Sequence, residues 1–355
     1  MLLAREIFGR RYVRCGAAVL ASLLVCLPLG GCSQSTSTGS NRPVVPEAAP
    51  ANSLKTKLDA FAIAFPGLGD ARLFRDRAVA NRVDALNAES GNRIRKPTGS
   101  ATAGQFPWMV SIEVQQPLDE SWVHYCGGTL IAPGLVLSAG HCNEFPARYL
   151  RVVANQVDLT KVQEVDRIAV DKVDVHPQFD SVKLRLPDGS FFNGLVNDVA
   201  LFRLASSGPK SSDAARQGLQ GIPLTLDAQK KDSVARGIGM TLGWGVTDTG
   251  KSSPQLLFVN LPLVDDSVCG KTYSPIDASM LCAGFHNGGS DSCEGDSGGP
   301  LIVRNANGLL EQVGVVSFGK GCGEPGHYGI YAWISAVRPW IDAQMKEAAS
   351  KAPSQ

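Results

Sequence analysis

Asp291-Ser292-Cys293-Glu294-Gly295-Asp296-Ser297-Gly298-Gly299-Pro300 is the stretch on which the reading of this chain turns. A serine set among glycines permits a tight turn whose backbone N–H groups point into a shared hollow. Hydrolysis of a peptide bond needs such donors where negative charge develops on the carbonyl oxygen. Alone, the stretch also fits an ordinary turn. Two other segments argue against that. Leu137-Ser138-Ala139-Gly140-His141-Cys142 places a histidine after an apolar run, beside a cysteine able to pin the loop. Asn197-Asp198-Val199-Ala200-Leu201-Phe202 opens an apolar run with an aspartate, which implies a partly buried carboxylate in need of a partner. An imidazole N–H is a suitable one.

Serine is a poor nucleophile near neutral pH and needs a base within hydrogen-bond reach. Histidine titrates in the right range, and an acidic partner fixes its tautomer and stabilises the imidazolium. The chain order His141, Asp198, Ser297 is that of chymotrypsin and not of subtilisin or the α/β-hydrolases. His124, His176, His286 and His327 have no comparable setting and are read as structural or exposed.

Outward from these motifs, from Gln105 to about Trp333, short apolar runs alternate with turn signals. WMVSIEV, GTLIAPGLVLSA, DVALFRL, GMTLGWG and VGVVSF are separated by Gly, Pro, Asp and Asn clusters. Many short strands at fairly regular spacing predict an all-β barrel or sandwich of antiparallel strands. The final ISAVRPWIDAQMKEA has helical spacing, with Pro339 near its beginning, and predicts one C-terminal helix.

Taken in order, GQFPWMVSI, CGGTLI, LSAGHC, NDVALFRL, GWG, MLCAGF, DSCEGDSGGPL and VVSFGKGC resemble the trypsin-like branch of the chymotrypsin family, over about residues 94–345. The resemblance implies an all-β fold of two six-stranded Greek-key antiparallel barrels with a C-terminal helix and the active site between them. It implies disulfides Cys126–Cys142, Cys269–Cys282 and Cys293–Cys322. Ser297 would be the nucleophile, His141 the general base and then acid, and Asp198 the orienting carboxylate. The N–H groups of Gly295 and Ser297 would form the oxyanion hole. Ser317 would open a segment that pairs with substrate backbone, and its hydroxyl could support Asp198. Asp291, six residues before the nucleophile, would floor the primary pocket, with Gly319 and Gly329 leaving it open to long side chains. A buried carboxylate there selects Arg or Lys before the cut. Phe318 stands where the family usually has tryptophan.

Composition agrees with an exported, turn-rich globular protein. The chain has 355 residues, 44% hydrophobic and 19% charged, with 38 Gly and 21 Pro. A formal net charge of +1 argues against a nucleic-acid binder relying on bulk electrostatics. Of nine cysteines, six lie in the body, an even set that permits fifteen pairings by sequence alone. The others are Cys15, Cys26 and Cys32. Four arginines precede an apolar run from about Ala17 to Leu29, which reads as a signal peptide over residues 1–31. Leu29-Gly30-Gly31-Cys32 resembles a bacterial lipobox, so that Cys32 would carry lipid and tether the protein to a membrane, with Ser33 compatible with the outer one. An ordinary secretory signal with a free Cys32 is the alternative.

Residues 32–53 read as a flexible lipid-anchored linker and 54–93 as a pro-segment with one or two short helices, or as further linker. The protease domain would span 94–345 and a flexible tail 346–355. Family zymogens are cut before an Ile-Val-Gly-Gly-like start whose new amine pairs with the aspartate preceding the nucleophile, here Asp296. Cleavage after Arg93 would expose Ile94, although Arg95 and Lys96 replace small residues. In NQVDLTKVQEVD, Asp158, Glu164 and Asp166 read as solvated charges, so no metal and no cofactor is expected. Expected partners are a protein or peptide substrate, a membrane through Cys32, and a proteinaceous inhibitor. Three functions remain distinct: an Arg/Lys-directed endopeptidase, a non-catalytic binding module, and an esterase on the same fold. The intact triad and Asp291 favour the first.

Overall fold

Along the body of the chain, buried apolar side chains recur at every second position, as in Val110, Ile112 and Val114 and again in Val259, Leu261 and Leu263. That is the period of a strand with one face in a core. The computed structural model describes residues 97–205, 221–224, 237–305 and 307–351. In chain order the first strands are β1 (Gly99–Ser100), β2 (Met109–Gln115), β3 (Trp122–Ala132), β4 (Leu135–Ser138), β5 (Leu150–Ala154) and β6 (Arg167–Val175). Next come β7 (Asp180–Arg185), β8 (Phe191–Val196) and β9 (Ala200–Leu204). The second half holds β10 (Ile238–Gly243), β11 (Leu257–Val264), the short helix α1 (Asp266–Cys269) and β12 (Met280–Ala283). It ends with β13 (Pro300–Arg304), β14 (Leu310–Phe318), β15 (Gly329–Trp333) and α2 (Ile334–Lys351).

The order β2-β3-β4-β9-β6-β5 closes into one antiparallel barrel. The order β11-β10-β13-β14-β15-β12 forms the second, closed by β12 pairing back to β11. Closure satisfies every strand edge internally, which open sheets cannot do. β1 is added along β11, with Gly99 opposite Phe258. Two six-stranded barrels and a C-terminal helix are the architecture the resemblance implied.

Each barrel has its own core. Val110, Ile112, Leu130, Val136, Val152, Ile168 and Phe202 fill the first. Leu261, Leu281, Leu301, Val313, Tyr331 and Trp333 fill the second. Although α2 follows the second barrel, it buries Ile334, Val337 and Ile341 against the first core. These residues share one helical face. Pro339 costs one intrahelical bond, but burial of three aliphatic side chains, at about 1.5–3 kcal/mol each, outweighs it. The helix runs to Lys351, past the expected domain boundary at residue 345. The three disulfides are Cys126–Cys142, Cys269–Cys282 and Cys293–Cys322. One element was not anticipated: β7 and β8 form a two-stranded sheet of their own, a hairpin between His176 and Asp198, with an isolated bridge from Arg185 to Ser274.

Candidate active site

Three loops meet between the barrels. The first follows β4, which is buried at all four positions. It is the single turn Gly140–Cys142 carrying His141, tied back to β3 through Cys126–Cys142. The second links β8 to β9. Asn197 there takes φ of 50°, a left-handed conformation that Asn tolerates better than most residues. Its N–H donates to the Ser279 hydroxyl at 3.0 Å and its side-chain amide to the Gln178 carbonyl at 3.0 Å. That turn delivers Asp198 into the interior, with no exposed surface.

The Asp198 carboxylate is fully used. Oδ1 accepts the backbone N–H of His141 at 2.9 Å, and Oδ2 accepts the imidazole Nδ1–H at 2.8 Å. The Ser317 hydroxyl donates to Oδ2 as well. One carboxylate therefore fixes both backbone and ring of His141 and leaves the Nε2 lone pair for a proton. Burial acts to raise the Asp198 pKa, but the His141 charge and the three hydrogen bonds outweigh it and hold the group below the usual carboxylate range. Burial likewise acts to lower His141, and the Asp198 charge, its hydrogen bond and the nearby Glu144 reverse this, so the imidazole is raised above its ordinary value.

The third loop precedes β13 and carries Ser297. Gly298 beside it has φ of 80°, and a Cβ there would lie 2.0 Å from Ser138 Oγ and 2.5 Å from the Gly127 carbonyl. Only glycine lets this loop press against the end of β4, the strand that leads into His141. The Gly127 N–H donates to the Ser297 carbonyl at 2.7 Å. The Ser297 hydroxyl itself makes no hydrogen bond among the described residues, so the last link of the triad is left open. Such links often tighten only with substrate bound.

Two backbone donors are aimed by the carbonyls on the other side of their own peptide bonds. The Glu294 carbonyl accepts from Val246 N–H at 2.8 Å, and the Asp296 carbonyl from Gly299 N–H at 2.9 Å. Because a trans peptide turns N–H and C=O in opposite directions, the N–H groups of Gly295 and Ser297 face away from those bonds. Neither donates to any group among the described residues. The arrangement is braced by His124, whose Nε2–H donates to the Gly295 carbonyl at 2.8 Å. Its Nδ1 must then accept from the Ser111 hydroxyl at 2.7 Å. Burial pushes the His124 pKa down to about 4, which keeps that tautomer neutral.

Beside Ser297 opens a cavity of about 210 Å³ whose lining includes Asp291, Ser317, Phe318, Gly319 and Gly329. Asp291 is 4% exposed, and its oxygens accept the N–H groups of Ser292 and Gly323, each at 2.9 Å. A Cβ at residue 329 would stand 2.9 Å from Asp291 Oδ1, so glycine keeps that carboxylate accessible. Burial pushes the Asp291 pKa up to about 7 against these two bonds, with the Asp296 charge adding to the rise. No cation among the described residues pairs with it.

A family model described as Trypsin matches residues 97–341. The chain belongs to the trypsin family. It is 34% identical over 252 residues to trypsin-1 of Astacus astacus, covering 68% of this chain and 96% of that protein. It is 30% identical over 261 residues to serine protease 56 of Homo sapiens and 32% identical over 257 residues to ovochymase-2 of Mus musculus. Those matches take in 72% and 67% of this chain but 39% and 38% of the two larger proteins. Membership makes the chain a serine protease.

In this trypsin-family chain the fold brings together every body residue that the motifs singled out: His141, Asp198, Ser297, Gly295, Asp291, Ser317, Gly319 and Gly329. Asp296 is 1% exposed and held by the N–H groups of Cys293 and Gly245 at 2.8 and 2.9 Å. Arg93, Ile94 and Cys32, with the signal, linker and pro-segment, lie outside the described residues. One residue needed correction. Asp158 is 8% exposed rather than solvated, and it caps a turn by accepting the Thr160 N–H at 3.0 Å and hydroxyl at 2.6 Å. His124 was missed as a supporting residue, and its partner Gly295 lies 171 positions away. Among the described residues the grouping with metal-ligand spacing is Cys126, His141 and Cys142. Its two sulfurs are consumed in a disulfide.

Proposed function

We propose that this serine protease cleaves peptide bonds after Arg or Lys through an acyl-enzyme. Ser297 Oγ attacks the carbonyl carbon while His141 Nε2 takes its proton. Asp198 stabilises the imidazolium, and the N–H groups of Gly295 and Ser297 hold the oxyanion. The C–N bond then breaks as His141 returns the proton to the leaving amine. Water, deprotonated by His141, attacks the acyl group and releases Ser297. The observation that carries the specificity is Asp291. It is a buried carboxylate with no cation paired to it among the described residues, in a cavity kept open by glycines. A long cationic side chain supplies the missing charge.

Activation by cleavage after Arg93 is part of the same proposal. Asp296 is buried, burial lifts its pKa to about 7, and its only bonds among the described residues come from backbone N–H groups. A small space lined by Asp296 is also bordered by Leu257 and Phe258, the residues that β1 pairs with. The amine of Ile94 would neutralise it. Export is supported by the signal-like N-terminus and by three disulfides, which persist in oxidising compartments. Lipid at Cys32 would hold the enzyme on a bacterial envelope membrane. Among the described residues no helix is long and apolar enough to cross one.

The test is hydrolysis of matched peptides carrying Arg, Lys, Phe or Ala before the cut, before and after limited trypsin treatment. Cleavage after Arg and Lys that vanishes in Ser297→Ala is the expected result, with a rise when Ile94 becomes the terminus. No cleavage by folded, nicked protein overturns the proposal in favour of a binding module.

A further inference from the structure

His176 follows β6 and takes no direct part in the triad, yet it is 8% exposed and tied to the chain on both sides of Asp198. Its N–H donates to the Val199 carbonyl at 3.0 Å, just after the aspartate. Its carbonyl accepts the Phe179 N–H at 2.9 Å, closing a β-turn with Pro177 at the second place, where proline is favoured. Inside the turn, imidazole Nδ1 accepts the Gln178 N–H at 3.2 Å. Burial holds this imidazole below its ordinary value, so Nδ1 keeps its lone pair. A side-chain acceptor for the backbone two residues on is the device by which Asn and Asp brace turns.

The later residues of the turn reach toward the triad. The Gln178 carbonyl accepts the Asn197 side-chain amide at 3.0 Å, just before Asp198, where φ is 50°. Phe179 lies over Gly140, the residue before His141. A Cβ on Gly140 would stand 3.1 Å from both the Phe179 ring and Asp198 Oδ1. The turn therefore holds Asn197 and Val199 and backs onto the His141 loop. Behind it stands α2. The Trp340 ring meets the His176 ring edge-on at 5.0 Å, and Trp340 itself packs against the first core beside Val337 and Ile341. A contiguous chain of contacts thus runs from Trp340 through His176, Gln178 and Asn197 to Asp198.

We propose that His176 is a positioning residue for the reaction. Its Nδ1 fixes the turn that holds Asn197, its ring fixes that turn against α2, and together they set Asp198 against His141. This rests on Asp198 orienting His141 in the proposed mechanism. A misplacement of about 1 Å can cost up to about a hundredfold in rate, and loss of one brace among several should cost about tenfold.

Two substitutions separate the two functions. His176→Phe keeps a ring against Trp340 and removes the acceptor, whereas His176→Asn keeps an acceptor for Gln178 and removes the ring. On active-site-titrated protein, His176→Phe should lower kcat about tenfold with KM for an Arg peptide nearly unchanged. The acid limb of kcat/KM should move down, because a His141 less closely held by Asp198 loses part of its raised value. His176→Asn should keep kcat within about threefold of wild type, although its melting temperature falls further. Activity and stability then fall in opposite order, which a purely structural role does not produce. Asn197→Gly suits the left-handed backbone but loses the amide to Gln178, and should repeat the drop in kcat and the shift of the limb. Wild-type kcat with an unmoved limb in titrated His176→Phe, or in Asn197→Gly should the first not fold, overturns the inference while leaving the peptidase intact. If wild type does not titrate at all, the triad reading fails instead. An NMR titration of the His141 ring in wild type and the same variants then decides the positioning by the same downward shift.

Discussion

Asp291→Asn is the substitution that probes the pocket most sharply. Asn matches the carboxylate in size, so the cavity keeps its shape, and one oxygen still accepts from Ser292 or Gly323. The other N–H then faces an amide NH2 and loses its acceptor, a local cost of about 1–3 kcal/mol. The larger consequence falls on the substrate. With the carboxylate gone, an Arg side chain reaching position 291, which is 4% exposed, would be desolvated without a counter-charge. Breaking a buried pair from one side costs about 3–5 kcal/mol, so kcat/KM for Arg peptides should fall between about a hundredfold and a few thousandfold. The assay is steady-state hydrolysis of Arg and Ala peptides, normalised to active sites, with thermal unfolding as a check on folding. The Ala peptide should change by less than about threefold. A fall below tenfold for Arg, or an equal fall for both, would refute the reasoning.

Four further outcomes follow from particular contacts. His141 is raised above its ordinary value, and only the neutral imidazole acts as base, so the acid limb of kcat/KM should lie above the ordinary imidazole range. In the empty pocket Asp291 ionises near 7. Its charged form is lost as pH falls through that value, so kcat/KM for Arg peptides should show an additional decline there that Asp291→Asn abolishes. Ser317→Ala removes a hydroxyl donor to the buried Asp198 and should lower kcat about tenfold with little effect on thermal stability, read from steady-state kinetics and a melting curve. Gly298→Ala forces a methyl to within 2.0 Å of Ser138 Oγ at a positive φ and should lower the melting temperature by roughly 5–10 °C and reduce acylation of Ser297.

The candidate active site was legible as a set of motifs because each residue lies in a short continuous stretch whose local character survives without tertiary information. His141 follows an apolar strand beside a cysteine, Asp198 opens another, and Ser297 sits among glycines. The strand-and-turn rhythm pointed to an all-β fold, but barrel against sandwich, and one disulfide pairing out of fifteen, required the family resemblance. What escaped depends on long-range contact. His124 looks like any strand histidine until its ring meets Gly295 and Trp244. The hairpin carries a readable signal, Val182, Leu184 and Leu186 before Pro187-Asp188-Gly189, yet nothing local says that Phe192 will meet Phe318. Asp158 resembles a solvated acid because its partners Thr160 and Lys161 define a cap only once the turn forms.

Ser297, activated by His141 and aimed beside Asp291, is the proposed nucleophile. Its most direct test is reaction with an Arg-based acylating inhibitor, followed by mass mapping of the modified peptide. One equivalent on Ser297, reduced at least a hundredfold in rate by His141→Ala and outcompeted by free arginine amide, is the predicted result. Labelling elsewhere, or no labelling of folded, nicked protein, would contradict it.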